Sequence, residues 1–488
     1  MTELHDLDAL TLATTLRRGD ASATDVLEHT LERAERLGPT VGAFVTLTPD
    51  LAHEQARAAD DALVAARRDG TTDTLPPFLG VPVPIKDLTM VAGVPMAAGS
   101  AALRGFVPPV DDGVVTLLRD AGTVMPGKTN TPELGLPPYT EPDVAPAART
   151  PWDLTRSAGG SSGGAAAAVA TRIVPVAHGN DGGGSLRIPA SATGLVGLKP
   201  SRGRVSWGPH AVDGVGLAAH GVLTRTVRDT AAFLDVLAVN RPGDTFVAPG
   251  GPGPAGSYLA ACDVAPRPLR VGVLDTPVIA DDAEVDPASL HAVDHTVALL
   301  DRLGHSVAEA PVPFPAEDWG AFAALWSVGA LSAPVPEDAE LLLTPLTRWL
   351  RATGREQSGL VFAQAVAGMQ RLTQQVATAW DAFDVVLTPT LAQLPALVGS
   401  MRDDADPAGD FAAQTRFTPW TSVANLTGRP SVSLPLGWAE GAATGDGAGD
   451  LPVGVMLTGR LGDDALLLAL SAQLEAADPW SGRVPPVR

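Results

Sequence analysis

The sequence predicts an α/β fold, and three observations carry that expectation. A short strand beginning at residues 123–125, a small-residue helix over 165–171 and a buried strand over 173–177 follow in order. That is the strand–helix–strand spacing of the class. Short β-branched runs at 269–274 and 385–387 are separated by helical segments further along. Apolar residues make up 45% of the 488 positions, enough for a sizeable core. No run of 18 apolar residues occurs, so a transmembrane helix is not expected.

Taken in order, residues 6–18 carry Leu7, Leu10, Leu12 and Leu16 at helical spacing, and Gly19-Asp20 ends that helix. Ser22 or Thr24 caps a second helix to about residue 37, with Gly38-Pro39 as its stop. A third helix covers 51–68 and ends at Gly70. Residues 81–85 are β-branched but interrupted by prolines, which suits an edge or irregular strand. Residues 114–121 read as a helix, and 249–254 as a Pro/Gly surface loop. An amphipathic helix covers 286–303, and 316–375 is mostly helical. Residues 441–450 read as a flexible, hairpin-like insertion, and 461–476 as a closing helix. With no internal repeat and no inter-domain linker, one domain over 1–488 is expected, its middle third a helical elaboration.

The charge balance is 34 basic against 55 acidic residues, a net −21. Such a chain repels polyanions, so nucleic acid is excluded as a partner. The acidic N-terminus lacks the features of a secretory signal, and the single Cys262 cannot form an internal disulfide. A cytoplasmic protein is the expectation. Only three of the basic residues are lysine, Lys86, Lys128 and Lys199, and all three fall between residues 80 and 200. Burial can turn a lysine into a neutral amine, whereas arginine stays charged.

The chemistry concentrates in residues 159–189. The segment reads Gly159-Gly160-Ser161-Ser162-Gly163-Gly164, then an apolar run, then Gly182-Gly183-Gly184-Ser185. A serine in a glycine-rich turn can present its hydroxyl beside converging backbone N–H groups. That is the composition of a nucleophile with an oxyanion hole. A serine needs a base. His178 is within sequence reach of Ser185 but reads more simply as a packed polar residue, as does His220. His291 and His295 are spaced i,i+4 but lack the acidic residue of a zinc-protease motif, so no metal is expected. Lys86 is the other candidate base, because the stiff apolar entry Val81-Pro-Val-Pro-Ile85 favours desolvation. Asp87 would oppose this if the two side chains met, but neighbours on an extended segment point to opposite faces.

Several spaced blocks together resemble the amidase signature hydrolases. They are Gly80-Val-Pro-Val-Pro-Ile-Lys-Asp87, Gly127-Lys-Thr-Asn-Thr-Pro-Glu-Leu-Gly135, the segment from Pro151-Trp-Asp153 to Gly164, and Gly179-Asn-Asp-Gly-Gly-Gly-Ser-Leu-Arg-Ile-Pro189. Gly197-Leu-Lys-Pro-Ser201, Leu387-Thr-Pro-Thr390 and Asn425-Leu-Thr-Gly-Arg-Pro430 add to them. The resemblance implies a large mixed β-sheet flanked by helices on both faces. It places a signature core at about 70–235 and a variable, substrate-side helical elaboration at about 275–380.

It also implies roles. Ser185 matches the nucleophile, Ser161 the bridging serine that follows a cis peptide, and Lys86 the base. Backbone N–H groups of Gly182, Gly183, Gly184 and Ser185 would hold the oxyanion. The implied reaction is cleavage of amide C–N bonds through an acyl-enzyme, with carbamates and esters chemically close. No cofactor is implied. Where many members carry threonine or another side chain, this chain has Asn180 and Gly182; Gly182 reads as loosening the turn while keeping its N–H. Asp181 and Arg187 are expected to brace the loop, and Lys128 and Lys199 to act as bracing donors. Gly135 and Leu136 fall on the acyl side by the same resemblance. Tyr139 and Trp207 are candidates for the pocket border, set against a plain core or rim role.

The blocks are most similar to a bacterial subgroup with 6-aminohexanoate cyclic dimer hydrolases, aryl acylamidases and urethane-cleaving amidases. A small or oligomeric amide or carbamate is thus the expected partner, and monomer and homodimer both remain open. The alternative enzyme is an amidotransferase A-type subunit that releases ammonia from glutamine for a partner. A non-enzymatic role would require loss of the serine–lysine set, and all three residues are present.

Overall fold

The structure is a computed structural model that describes residues 3–444 and 449–488. It contains two sheets among the described residues. The smaller has three strands, β1 (Phe44–Leu47), β2 (Ile85–Lys86) and β3 (Gly127–Thr129), in the order β1-β3-β2. The larger has eight: β4 (Val176–Asp181), β5 (Val196–Lys199), β6 (Ala219–Thr224), β7 (Arg270–Val273), β8 (Ser306–Glu309), β9 (Val385–Pro389), β10 (Ser431–Ala439) and β11 (Leu451–Gly459). Their spatial order is β4-β6-β5-β10-β11-β9-β7-β8. Pairing is antiparallel from β4 through β9 and parallel across β9-β7-β8, so the sheet is mixed, as expected.

Helices cover both faces. A Cβ on Gly437 of β10 would come within 2.3 Å of Ala292, on the helix Pro287–Arg302. A Cβ on Gly454 of β11 would come within 2.6 Å of Ser191, on the helix Arg187–Thr193. Gly437 pairs with Val453, and the next residue along β11 points to the opposite face. Two glycines thus let two helices approach the central strands from opposite sides. A third helix, Gly163–Ala170, is buried along its whole length. Its small residues pack against Val41, Ala43, Ile173 and Ala177. The middle third supplies Gly320–Ser332, Pro345–Glu356 and Gly359–Ala379; Phe322, Leu325, Met369, Leu372 and Val376 join the first to the third, and Ala330, Leu346 and Leu350 join the first to the second.

The helix over Ala23–Val41 runs through the expected stop and keeps Pro39 inside. Proline removes one backbone donor. Continuing the helix carries Val41 into the core, and Gly42, at φ 61°, closes it with its N–H on Gly38 O. The proline-rich run before Lys86 yields only the two-residue β2, and the strand expected from residue 123 begins at Gly127. The strand expected at 173–177 is β4, displaced to Val176–Asp181. The sequence reading passed over β10 and β11, the two central strands of nine residues each. Pro435 and Gly437 break the pattern of β10, and the register shifts between Leu434 and Gly437. A bulge is where a strand tolerates proline. The expected insertion at 441–450 connects these two antiparallel strands, and its residues 445–448 lie outside the described residues.

Candidate active site

Three separate elements bring Lys86, Ser161 and the end of β4 together. Lys86 closes β2, whose pairing partner for it is Thr129 on β3. Ser161 lies in the glycine turn just before the helix Gly163–Ala170, and the Gly160–Ser161 peptide is cis. Lys86 is fully buried. Its Nζ lies 2.8 Å from Ser161 Oγ and 2.7 Å from Asn180 Oδ1. Burial holds the Lys86 amine well below the ordinary lysine range, with the Asp181 carboxylate opposing. Asp87 points away, as the alternation along β2 requires. It pairs with Lys128 Nζ at 3.1 Å and accepts the N–H groups of Ala97 and Ala98.

His178 and His220 act as packed polar residues. The Lys86 N–H donates to His178 Nδ1 at 3.4 Å, and His178 Nε2 lies 3.1 Å from His220 Nδ1. Burial holds both rings below the usual histidine range, His220 at about 3. Neither is bonded to a serine among the described residues.

Ser185 sits between β4 and the helix Arg187–Thr193, 7% exposed, in the lining of a cleft. Its loop is gathered by Asp181. That carboxylate accepts Gly184 N–H at 2.8 Å, Leu186 N–H at 3.1 Å, Arg187 Nε and Nη2 at 2.9 Å and Asn425 Nδ2 at 2.9 Å. Burial alone would raise Asp181, but Arg187 and these donors hold it well below the ordinary carboxylate range. Gly184 has φ 139°, and a Cβ there would lie 2.5 Å from Ile188 Cδ1, so glycine is required.

The bond from Gly184 to Asp181 corrects one sequence expectation. The Gly184 N–H is already committed and is not free for an oxyanion. The N–H groups of Gly182, Gly183 and Ser185 donate to no acceptor among the described residues. Gly183 O is fixed instead by Thr421 Oγ1 at 2.7 Å. Trp326 Cζ3 lies 3.3 Å from where a Cβ on Gly182 would be, so the indole occupies the space beside this glycine.

The cleft wall is aromatic. Trp319, Phe322 and Trp326 follow one another at 5.1 and 5.2 Å between ring centroids, and Phe411 adjoins Trp319. Leu136, Pro137, Pro138, Ile188 and Ile279 complete the apolar lining, and Gln414, Thr415, Thr418 and Ser422 supply the polar one. No charged side chain lines the cleft among the described residues.

Of the expected border residues, Leu136 lines the cleft, and Gly135 lies beneath it, a Cβ there falling 3.3 Å from Ser161 Oγ. Tyr139 is buried behind the wall, its hydroxyl donating to Asp410 Oδ2 at 2.6 Å. Trp207 is not in the cleft lining; its ring lies against His220, tilted at 38° with centroids 4.0 Å apart, and faces a separate surface hollow. The sequence reading missed the aromatic wall, although Trp319, Phe322 and Trp326 stand at i, i+3 and i+7. It noted Asn180 only as a departure from the family pattern, and the structure gives that side chain a contact with Lys86. No group of three or more His, Cys, Asp or Glu side chains is placed to hold a metal among the described residues. No described helix is long and apolar enough to cross a membrane.

A family model described as Amidase matches residues 25–468. The chain is 36% identical to the 6-aminohexanoate-cyclic-dimer hydrolase of Pseudomonas sp. (strain NK87), over 98% of this chain and 96% of that one. It is likewise 36% identical to the putative amidase AmiB2 of Mycobacterium bovis, over 100% of this chain and 99% of that one. A solved structure of 6-aminohexanoate cyclic dimer hydrolase superposes with a TM-score of 0.89 at 33% identity, covering 100% of both chains. The chain belongs to the amidase signature family and is a hydrolase of amide bonds.

Proposed function

We propose that this amidase cleaves uncharged, apolar amides through a Ser185–Ser161–Lys86 triad and an acyl-enzyme. Neutral Lys86 takes a proton from Ser161, Ser161 takes one from Ser185, and Ser185 Oγ attacks the substrate carbonyl. The free N–H groups of Gly182, Gly183 and Ser185 receive the oxyanion, each such donor typically contributing about 3 kcal/mol. The relay then runs backwards and delivers one proton to the leaving amine, and water, deprotonated by the same relay, attacks the acyl carbon and releases Ser185. Ser185 Oγ makes no hydrogen bond among the described residues. Catalytic contacts of this kind commonly tighten in the substrate complex, and we place the Ser161–Ser185 contact there.

One observation carries the reading: a fully buried amine with no paired carboxylate among the described residues, 2.8 Å from the hydroxyl of Ser161. The cleft argues the substrate class. A lining without charge suits a neutral amide, including a cyclic one whose termini are joined. It does not suit glutamine, whose ammonium and carboxylate would both be left unpaired, and so argues against the amidotransferase reading. Carbamates and esters share the tetrahedral oxyanion, and we include them as secondary substrates. The helical stretch at about 275–380 serves as the substrate-side elaboration, through Trp319, Phe322 and Trp326.

The test is covalent labelling with a fluorophosphonate, alongside turnover on anilides, linear and cyclic aminohexanoate amides, carbamates and esters. Labelling should map to Ser185 and vanish with turnover in Ser185→Ala. Undiminished hydrolysis by Ser185→Ala would overturn the mechanism.

A further inference from the structure

Tyr139, Asp410 and Gln414 form a polar chain behind the apolar cleft wall, and it ends inside the cleft. Asp410 and Gln414 stand one turn apart on the helix Pro407–Phe417. Asp410 is 1% exposed. Its Oδ2 accepts the Tyr139 hydroxyl at 2.6 Å and the Asp403 N–H at 3.3 Å, and its Oδ1 accepts Gln414 Nε2 at 2.8 Å. Ionised, Asp410 is an acceptor-only carboxylate, and all three neighbours can donate to it. Burial raises its pKa, and the Tyr139 and Gln414 donors oppose that.

This fixes which way the Gln414 amide faces. An acceptor-only partner can be met only by the NH₂ end, so the carbonyl Oε1 is turned the other way. Gln414 lines the same cleft as Ser185. Among the described residues its Oε1 receives no donor, and the atom is accessible to solvent. In a lining that is otherwise aromatic and aliphatic, a carbonyl oxygen held in one orientation is a directional feature. The hydroxyls of Thr415, Thr418 and Ser422 rotate between donor and acceptor roles. The Gln414 carboxamide cannot.

We propose that Gln414 Oε1 is a fixed hydrogen-bond acceptor for a substrate N–H, and that Asp410 is the positioning residue that holds it so. The inference rests on Ser185 as the reacting residue and adds a selectivity to it. Substrates presenting an amide or carbamate N–H to the cleft are favoured over those presenting only oxygen or a tertiary nitrogen. An analogue without the N–H leaves Oε1 dry and unpaired, which is costly in an apolar site.

Two matched substrate pairs test this. In one, the scissile group is an amide or the corresponding ester. In the other, the scissile amide is constant, and a second, remote amide is N–H or N-methyl. kcat and KM are measured for the wild type, Gln414→Met and Asp410→Asn. In the wild type the N–H member of at least one pair should gain roughly tenfold or more from the bond, normalised in the ester pair to alkaline hydrolysis rates. In Gln414→Met that preference should collapse to within about threefold, with the loss falling on the N–H member. In Asp410→Asn the new amide keeps its carbonyl for Tyr139 and Asp403 and offers its NH₂ to Gln414. Gln414 should then turn its own NH₂ to the cleft and reverse the preference.

The responding pair tells whether the bonded N–H belongs to the scissile group or to the remote amide, and either result supports the proposal. A preference unchanged by Gln414→Met in both pairs overturns it, as does a wild type with no preference in either. Gln414→Met decides the matter even if Asp410→Asn fails to fold. Turnover surviving in Ser185→Ala would count against the triad instead, and would leave the selectivity ratio readable.

Discussion

Replacing Lys86 with arginine tests the central chemical claim more sharply than deleting it. Arginine keeps the positive charge and the capacity to donate but cannot give up its proton at accessible pH. The Lys86 amine has two close polar partners, Ser161 Oγ at 2.8 Å and Asn180 Oδ1 at 2.7 Å, and no solvent exposure. Both contacts can be kept by a neutral amine, which donates to Asn180 and accepts from Ser161. If Lys86 is the base, its loss should cost the general-base contribution, about 10²- to 10⁴-fold. We expect kcat/KM to fall by about 10³ or more in both Lys86→Arg and Lys86→Met, roughly 4 kcal/mol of transition-state stabilisation. The sign of the pH dependence follows from burial, which lowers the amine pKa. Below the folded-state pKa the amine is charged and cannot accept a proton, so activity is lost as pH falls. Above it the profile is flat. The unfolded chain still binds a proton on this residue up to the ordinary lysine pKa, so the residue's stability contribution is also lost as pH falls. Lys86→Met should therefore unfold no earlier than the wild type near neutral pH. The assay is kcat/KM from pH 5 to 10 with thermal melts on each variant. Activity of Lys86→Arg within about tenfold of the wild type would refute lysine as the base.

Arg187→Met strands the fully buried Asp181 carboxylate. It should lower unfolding free energy by about 3–5 kcal/mol, measured by denaturant titration. Trp326→Ala opens the cleft wall beside Gly182 and removes the stack on Phe322. It should raise KM for apolar amides by roughly tenfold, with a smaller change in kcat. An unchanged KM would place the substrate away from this wall.

The serine and lysine segments were legible because the features that mark them are local. Glycine density marks a constrained turn, and an isolated lysine after a stiff apolar run marks a buried amine. The divergence of Asp87 from Lys86 was legible too, since alternation along an extended segment is a property of the backbone. The errors arose where the folded loop backbone or distant parts of the chain decide. Gly184 could be recognised as an obligatory glycine, but only Asp181, folded back on its own loop, uses up its N–H. The i, i+3, i+7 aromatic stripe identifies one helix face without saying what that face meets, and Ser185 is more than 130 residues earlier. Trp207 is near Ser185 in sequence, yet its ring packs against His220 and lines a separate hollow, not the cleft. The central hairpin was hidden because Pro435 and Gly437 satisfy a bulge that only the partner strand reveals.

The three lysines show why burial alone does not assign a base. All are essentially inaccessible. Lys128 is paired with Asp87 at 3.1 Å and donates to Thr89 O at 2.8 Å, so its charge has a partner and it braces a turn. Lys199 is the more instructive rival, because burial and the neighbouring Arg187 push its amine down to about 7, with Asp181 opposing. By titration alone it would qualify as a base at neutral pH. Its Nζ, however, donates to Pro200 O at 2.8 Å and has no serine hydroxyl within hydrogen-bond distance among the described residues. A proton can be taken only across a contact, so geometry ranks the candidates before pKa does. Lys86 alone joins a desolvated amine to a serine hydroxyl. It follows that Lys199→Met should leave the acid limb of the kcat/KM profile in place, while Lys86→Met removes the activity that limb describes. A limb displaced by Lys199→Met at unchanged folding would move the titrating group to Lys199 and undo the assignment.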